Sequence, residues 1–287
     1  MRAALTVALF FWISLPGMVS GEPCSGDNSL IKIPAGHFWM GSDRAERDLA
    51  YRIGSNAARK GRWFDAWELP RKQLFLKNYF IDKNLVTQSE YQFFVRETGH
   101  PAPFISPEDY QRQGYLVHPY KAVRRYLWLK DAGGKPTHPA GLERHPVVLV
   151  SRLDGEAMCA WRRGKSGGKH LRLPTEAEWE KAARGTQGAY FPWGNRFDPA
   201  RLNHAYHHKG TTPIGTYTKG ASPYGVLDMA GNVFEWTSSD FDPGRGVMKG
   251  GGSWDDQPGI TRAASRHGRS PRARHLLFGF RCMCEEK

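Results

Sequence analysis

KGGGSWDDQPGITRAASRHGRSPRARHLLFGFRCMC, residues 249–284, is the stretch around which the rest of the chain is organised. It joins a glycine triplet and Trp254 to two carboxylates, then runs through many arginines to a closing Gly-Phe-Arg-Cys motif. Glycines permit tight backbone turns, and an indole ring beside them is suited to packing. Ten tryptophans and 32 glycines among 287 residues extend this pattern along the chain. We therefore expect a turn-rich fold packed by large rings.

The N-terminus has the three-part pattern of a secretory signal peptide. Arg2 precedes an apolar run (ALTVALFFWISL), and small residues follow near position 20. The alternative, a membrane anchor, would need a longer run, because a bilayer-spanning helix takes about 20 apolar residues. We expect residues 1–20 to be cleaved, leaving residues 21–287 as a periplasmic protein without membrane insertion.

The four cysteines all lie outside the predicted signal peptide: Cys24, Cys159, Cys282 and Cys284. An even number of cysteines in an oxidising compartment favours disulfides, and free buried thiols are the alternative. Four cysteines allow three pairings, and spacing does not choose among them. A bond between Cys282 and Cys284 would strain the disulfide geometry, so we expect each to have a distant partner.

The formal charge of +13 limits the classes of partner. Basic surfaces attract nucleic acids, anionic membranes or acidic proteins. The chain has no recognisable nucleic-acid-binding module, and export argues against a nucleic-acid partner. An anionic membrane surface and an acidic protein therefore remain as candidate partners. The alternative is that many of the arginines form internal salt bridges and the excess charge aids solubility.

Two stretches carry helix-start signals. Thr87 lies three residues before Glu90, which is a capping box for a helix over residues 87–95. Thr175 caps a second helix that ends at Gly185. Carboxylates in the first turn of this helix suit the positive end of the helix dipole, so we do not interpret them as catalysts.

Strands and one long excursion complete the secondary-structure prediction. Alternating or apolar patterns predict strands over residues 31–42, 73–82 and 145–151. Residues 97–145 carry prolines, charges and aromatics without a clear period, and we interpret them as a long surface excursion. Such loops commonly carry a partner or substrate site, although a decorative insertion fits the pattern equally well.

Motifs in a fixed order resemble one known family. In chain order they are IPAGHFWMGS, ELPRKQLFLKNYFIDKNLVTQSEYQFFV, HPVVLVS, RLPTEAEWEKAARG, FPWGN, MAGNVFEWT, GGSW and GFRC. Together they are similar to the sulfatase-modifying-factor, or formylglycine-generating-enzyme, family from about Ile31 to Cys284. The resemblance implies an α+β fold, a single compact domain distantly similar to C-type lectins and low in regular secondary structure.

The resemblance also names an activity, and the chain lacks the residues for it. Family members that oxidise a sulfatase cysteine to formylglycine carry two cysteines after GGSW, which bind copper and activate oxygen. The corresponding residues here are Asp256 and Thr261. Cu(I) requires soft thiolates, whereas a carboxylate and a hydroxyl are hard ligands. A second enzymatic branch uses an iron site with a histidine cluster that this chain does not match. We therefore expect no catalytic residue and no copper.

The same family includes exported members without the cysteine pair. One kind acts in periplasmic maturation of pyoverdine siderophores. Another is a periplasmic accessory protein of type VI secretion that acts upstream of a threonine-kinase receptor. The motifs do not separate the two. We favour a non-catalytic regulatory protein of type VI secretion signalling, with a siderophore oxidoreductase as the alternative.

A structural calcium site and a disulfide pairing are further implications of the resemblance. The implied calcium ligands are two side chains and two backbone carbonyls: Asp228, Gly231, Val233 and Glu235. Such an all-oxygen set suits Ca²⁺, and the alternative is that both carboxylates bond to backbone in a tight turn. A second family calcium site, near Asn203, lacks its carboxylate and is expected to be lost. The implied disulfide joins Cys159 to Cys282, which leaves Cys24 for Cys284.

The arginines of residues 249–284 divide into two sets. Three belong to the family pattern, which implies buried salt bridges: Arg262, Arg266 and Arg281. Three are less constrained and are predicted to bind a partner: Arg269, Arg272 and Arg274. Together with the 97–145 excursion they would line a groove for an acidic periplasmic receptor domain.

Overall fold

The structure is a computed structural model that describes residues 24, 29–114, 117–165, 170–250 and 252–285. The predicted signal peptide lies outside the described residues. Within those ranges, no helix has both the length and the apolar character needed to cross a membrane.

Short helices and strands are distributed along the whole chain. The helices are α1 (Arg44–Ile53), α2 (Asn56–Lys60), α3 (Trp63–Trp67), α4 (Gln88–Thr98), α5 (Pro107–Arg112), α6 (Tyr120–Val123), α7 (Arg152–Lys165) and α8 (Glu176–Arg184). Short 3-10 helices cover Arg124–Tyr126, Pro199–Arg201, Thr218–Gly220 and Pro258–Ile260. The strands are β1 (Leu30–Ile33), β2 (Gly36–Met40), β3 (Lys72–Leu76), β4 (Tyr79–Asp82), β5 (Leu129–Lys130), β6 (Pro136–Thr137), β7 (His170–Arg172), β8 (Phe234–Asp242), β9 (Arg245–Lys249), β10 (His267–Arg269), β11 (Phe278–Gly279) and β12 (Met283–Glu285).

Two four-stranded sheets form the frame of the domain. The first has the order β1-β4-β12-β7 and is antiparallel throughout. The second has the order β10-β9-β8-β11, in which β11 runs parallel to β8. Smaller sheets pair β2 with β3 and β5 with β6. Because β12 lies between β4 and β7, the two ends of the described chain close into one domain. The mixed α+β class is therefore confirmed.

Large rings fill the core, as the composition predicts. Trp179 and Trp236 are completely buried. The indole nitrogen of Trp236 donates to the carbonyl of Val150 at 3.0 Å, and its ring stands edge-on to Phe278 with ring centres 5.6 Å apart. The hydrogen bond satisfies the only polar group of the Trp236 side chain, whereas the indole nitrogen of Trp179 is buried without a hydrogen-bond partner among the described residues.

Both predicted helix starts are confirmed. The Thr87 side chain accepts from the backbone of Glu90 while the Glu90 side chain accepts from the backbone of Thr87. Thr175 forms the same reciprocal box at the start of α8. Gly185 ends α8 with a φ of 70°, a left-handed conformation that glycine adopts without steric cost.

All three strand predictions need correction. Residues 31–42 divide into β1 and β2, which join different sheets. Residues 145–151 are buried but form no regular strand, because Leu149 has a φ of 61° and breaks the extended conformation. The backbone N–H groups of Val147 and Leu149 donate instead to Val86 and His275. Residues 73–82 divide into β3 and β4, which join different sheets.

The excursion, residues 97–145, is more embedded than a surface loop. Tyr110, Tyr126 and Trp128 belong to the main hydrophobic cluster, and the segment contains α5, α6 and the β5–β6 hairpin. Phe104 does follow the prediction, since 56% of its surface is exposed. Large rings bury too much apolar area to remain at the surface when a core lies beneath them.

Buried ion pairs account for the family arginines and for part of the charge. Each of the three is completely or nearly buried and binds glutamates from distant segments. The pairs are Arg262 with Glu46 and Glu68, Arg266 with Glu176, and Arg281 with Glu235. Arg184 and Lys249 extend the set by binding Glu180. Buried charges remain stable only when paired in this way.

The structure joins the four cysteines in two disulfides. Cys159 is bonded to Cys282, and Cys24 to Cys284, the pairing that the resemblance implies. The bonds link positions 123 and 260 residues apart. They connect Cys24 and α7 to the segment over residues 282–284.

Candidate functional site

A loop over residues 252–262, which follows Gly250 and residue 251, carries the two positions that the resemblance aligns with the family's thiols. Gly252 has a φ of 80°, and a Cβ there would lie 3.0 Å from the Cβ of Asp256. Gly250 has a φ of 119°, and a Cβ there would lie 2.6 Å from the carbonyl oxygen of Val233. An L side chain suits neither position, so these glycines let the loop fold tightly against the start of β8.

Two carboxylates in this loop, Asp255 and Asp256, share the hydroxyl of Ser253. The Ser253 Oγ lies 2.6 Å from Oδ1 of Asp255 and 3.0 Å from Oδ2 of Asp256. The backbone N–H of Ser253 also donates to Asp256 Oδ2 at 2.9 Å. Burial, followed by the negative charge of Asp255, raises the pKa of Asp256 to about 7. Asp256 therefore holds an exchangeable proton near neutral pH.

His118 reaches from the excursion to the acid pair. Its Nε2 lies 2.8 Å from Oδ2 of Asp255, and the two side chains are only 7% and 6% exposed. The imidazole also packs on Trp254, with ring centres 4.8 Å apart. These contacts fasten the excursion to the loop, although His118 and Asp255 are 137 residues apart.

Tyr206 covers the same cluster from a third segment. Its side chain is half exposed, and its ring stands edge-on to Trp254 at 5.5 Å. Ala205 and Tyr206 have φ values of 47° and 59°, a conformation that costs energy for residues with a Cβ. Their backbone N–H groups donate to the carbonyls of Asp256 and Trp254, each at 2.9 Å. Backbone strain held in place beside Asp256, whose pKa is raised, identifies this cluster as a candidate site.

Asp256 and Thr261, which stand where the resemblance places the family's thiols, cannot perform thiolate chemistry. Asp256 is engaged with Ser253, and the buried Thr261 hydroxyl donates to the carbonyl of Pro258 at 2.8 Å. All four cysteines of the chain are in disulfides, so none supplies a thiolate. Cu(I) needs such soft ligands, and the residues present therefore do not fit a copper centre. What the cluster can do is hold or transfer a proton.

The predicted partner arginines lie together along a groove against the excursion. We call residues 269–274 the arginine segment. A cavity of about 600 Å³ separates it from α5, and a second cavity of about 200 Å³ adjoins the first. Both cavities are lined by Gln113, Ser270 and Arg272. The larger one is also lined by Phe104, Asp109, Arg112 and Arg274, and the smaller by Arg269 and His275.

The three predicted arginines differ in what they can offer a partner. Arg274 donates to Asp154 Oδ1 at 2.7 Å, and Arg269 donates to the carbonyl of Gly268 at 2.8 Å. Arg272 is exposed, and its guanidinium has no hydrogen bond or ion pair with any residue that the structure describes. Arg272 is therefore the most available of the three for a ligand.

Two contacts hold the walls of the groove together. The Gln113 side chain accepts from the backbone N–H of Arg274 at 2.8 Å and donates to its carbonyl at 3.1 Å. Tyr110 stacks on His275 with ring centres 5.4 Å apart, and its hydroxyl lies 2.9 Å from Nε2 of that histidine. The groove is thus already formed by the protein's own contacts.

The predicted calcium site keeps its hard oxygen donors, but one of its two carboxylates, Glu235, is also paired with Arg281. Asp228 Oδ2 accepts from the backbone N–H of Gly215 at 2.9 Å, and burial raises the pKa of this carboxyl. Both oxygens of Glu235 accept from Arg281, at 2.6 and 2.8 Å. Within the described ranges, no three His, Cys, Asp or Glu side chains are grouped to hold a metal ion. Asp228 fits a calcium ligand, whereas Glu235 would have to serve Arg281 and the ion together.

The interaction of Asp255 with Asp256 through Ser253, and the contact of Asp255 with His118, were not predicted from the sequence. The adjacent aspartates after GGSW were visible in the sequence and could have indicated a coupled pair. Nothing in the sequence around His118 points to Asp255, because their contact depends on how the excursion folds back.

Comparisons with known proteins show which sequences and structures the chain is similar to. Residues 18–286 match the family described as "Sulfatase-modifying factor enzyme 1-like domain". The mouse protein "Inactive C-alpha-formylglycine-generating enzyme 2" is 31% identical across 98% of this chain and 94% of its own length. The mouse "Formylglycine-generating enzyme" is 30% identical across 94% of this chain and 78% of its own. One of these relatives is named as inactive and the other as an enzyme, so the family contains both kinds.

Two further similarities concern architecture. The "Serine/threonine-protein kinase pkn1" of Chlamydia caviae is 31% identical across 88% of this chain, which spans only 37% of that kinase. The solved structure of PvdO from Pseudomonas aeruginosa is similar with a TM-score of 0.64 and 22% identity, covering 92% of this chain and 97% of PvdO. The likeness to PvdO confirms the fold of the domain.

Proposed function

The chain belongs to the sulfatase-modifying factor enzyme 1-like family, and from this premise we propose that it is a non-catalytic periplasmic binding protein. It acts upstream of a kinase receptor in type VI secretion signalling. Its mature form is residues 21–287, and its partner is an acidic periplasmic receptor domain.

One observation carries the non-catalytic part of the proposal. The two positions that need thiols hold Asp256 and Thr261, and every cysteine is committed to a disulfide. The disulfides also support an oxidising compartment, where such bonds persist. A member of this family that cannot bind copper through thiolates keeps the fold for another purpose, and binding is the simplest one.

The link to kinase signalling is supported by one relative. A protein named as a serine/threonine-protein kinase contains a region 31% identical to this chain. Domains found within one chain in one protein often cooperate as separate chains in another. The exposed Arg272 and the groove beside it supply a surface with the charge for an acidic receptor domain.

The alternative, a siderophore-maturing oxidoreductase, is favoured by one feature of the acid pair. With a pKa near 7, Asp256 has the protonation behaviour of a general acid or base at neutral pH. The similarity to PvdO, at 22% identity, concerns the fold and does not choose between the two proposals.

A deletion of the gene in its host tests the proposal. We expect reduced phosphorylation of the kinase pathway's substrates and reduced type VI secretion, with siderophore production and sulfatase activity unchanged. Complementation with Asp256→Asn should restore secretion if the protein only binds. Lost siderophore maturation, not rescued by that variant, would instead establish the oxidoreductase.

A further inference from the structure

We propose that the groove between the excursion and the arginine segment binds a linear peptide carrying carboxylates and an apolar side chain. This inference rests on the proposed function, because it names the part of the partner that the surface would hold. The partner would present an extended acidic segment to the groove, not the face of a folded domain.

The shape of the groove favours an extended ligand. Cavities of about 600 and 200 Å³ adjoin along Gln113, Ser270 and Arg272. Pockets of about 300–1,000 Å³ hold ligands of drug-like size. A ligand of that size is equivalent to a peptide of a few residues. A flat domain surface would not fill such a hollow.

The charge of the groove favours carboxylates. The Arg272 guanidinium is exposed and unpaired among the described residues, and Arg269 and Arg274 flank it along the same walls. Asp109, the acidic side chain of the lining, is already bound by Arg112 and Ser106. A guanidinium binds a carboxylate with two parallel hydrogen bonds, so Arg272 is suited to one acidic side chain of the ligand.

The apolar part of the ligand is indicated by Phe104. This ring is 56% exposed, yet it lines the same cavity as Arg272. A purely acidic ligand would leave the ring in water, whereas an adjacent leucine or phenylalanine would cover it and gain apolar burial. The groove therefore selects acidic and apolar side chains in combination.

The walls are fixed before the ligand arrives. The Gln113 side chain forms hydrogen bonds with both the backbone N–H and the backbone carbonyl of Arg274, and Tyr110 stacks on His275. A preformed groove loses little conformational entropy on binding. A short peptide can therefore bind with measurable affinity.

Selection from a random dodecapeptide library on the full chain tests the inference. We expect selected peptides to carry at least two acidic residues with an apolar residue close by. Titration calorimetry with a synthetic selected peptide then compares variants. Arg272→Glu should weaken binding about ten-fold or more, and Phe104→Ala should weaken it about three-fold or more.

Arg44→Glu is the matched control, since it makes the same charge change at a side chain that is 93% exposed on α1, a helix that does not line the groove. It should leave affinity within about two-fold. Equal losses from Arg44→Glu and Arg272→Glu would overturn the inference by showing non-specific attraction. The inference would also be overturned if the selected peptides were not enriched in acidic residues. The proposed function would survive that result if a folded receptor domain still bound. Specific peptide binding with normal type VI secretion after gene deletion would instead retain the groove and reject the proposed function.

Discussion

Glu46 and Arg262 are 216 residues apart in the chain, yet Oε1 of the glutamate lies 3.0 Å from Nη1 of the arginine. Both side chains are completely buried. The same carboxylate also accepts from Arg184 at 2.8 Å, and Arg262 binds Glu68 as well. This arrangement joins α1 and α8 to the last residue of the candidate-site loop, and it makes the position of that loop dependent on buried charge pairs.

Replacing Arg262 with methionine should reduce stability strongly. The change leaves Glu46 and Glu68 buried without their shared cation, and loss of one partner of a buried ion pair costs about 3–5 kcal/mol. Urea unfolding at neutral pH measures the free energy of unfolding. Arg44→Met, at a position that is 93% exposed, should change it by less than about 0.5 kcal/mol. Equal effects from both substitutions would contradict a structural role for the buried pairs.

Removing the Cys159–Cys282 disulfide should also destabilise the protein. The bond closes a loop of 123 residues, and the chain-entropy estimate for such a loop is about 5 kcal/mol at most. A double variant, Cys159→Ser with Cys282→Ser, is compared with the wild type by urea unfolding under non-reducing conditions. Non-reducing peptide mapping checks the pairing directly, and a peptide that joins Cys159 to Cys284 would refute it.

Asp256 should make stability depend on pH. Burial and the charge of Asp255 raise its folded-state pKa to about 7, from an ordinary value of 3.8. Between these values the folded state retains a proton that the unfolded state has released, so stability falls as pH rises through this window. Asp256→Asn removes this pH-dependent loss of stability. The free energy of unfolding of the variant should exceed that of the wild type by up to about 4 kcal/mol at roughly pH 8 and should be almost equal to it near pH 3. Asp48→Asn, at an exposed position, should leave the dependence of stability on pH unchanged. If Asp256→Asn also leaves it unchanged, the raised pKa assigned to Asp256 is disproved.

Calcium should stabilise the protein if the predicted site around Asp228 binds it. Binding to the folded state alone raises the melting temperature, and each 1 kcal/mol shifts it by about 2–4 °C for a domain of this size. We expect chelator-treated protein to melt several degrees higher after calcium addition. Asp228→Asn should abolish that increase while Asp131→Asn, in the excursion, retains it. Identical melting with and without calcium would show that Arg281 alone satisfies Glu235.

Local features were predictable because their causes are local. The capping boxes at Thr87 and Thr175 each involve a partner three residues away, and the glycine that ends α8 follows it directly. It was equally predictable that positions 256 and 261 supply no thiolate, since this depends only on which residue types occupy them. Ordered motifs along the chain identified the family and hence the α+β domain.

The sequence by itself thus determined the fold class, the helix starts set by caps, and the residue types at positions 256 and 261. Only the tertiary structure decided that His118 meets Asp255, that Asp256 titrates near neutral pH, and that Arg272 stays exposed while Arg274 is bound to Asp154. The physical reason is that burial and contact between distant residues depend on how every segment packs. A side chain's charge state and availability are properties of its surroundings, whereas its identity is written in the chain.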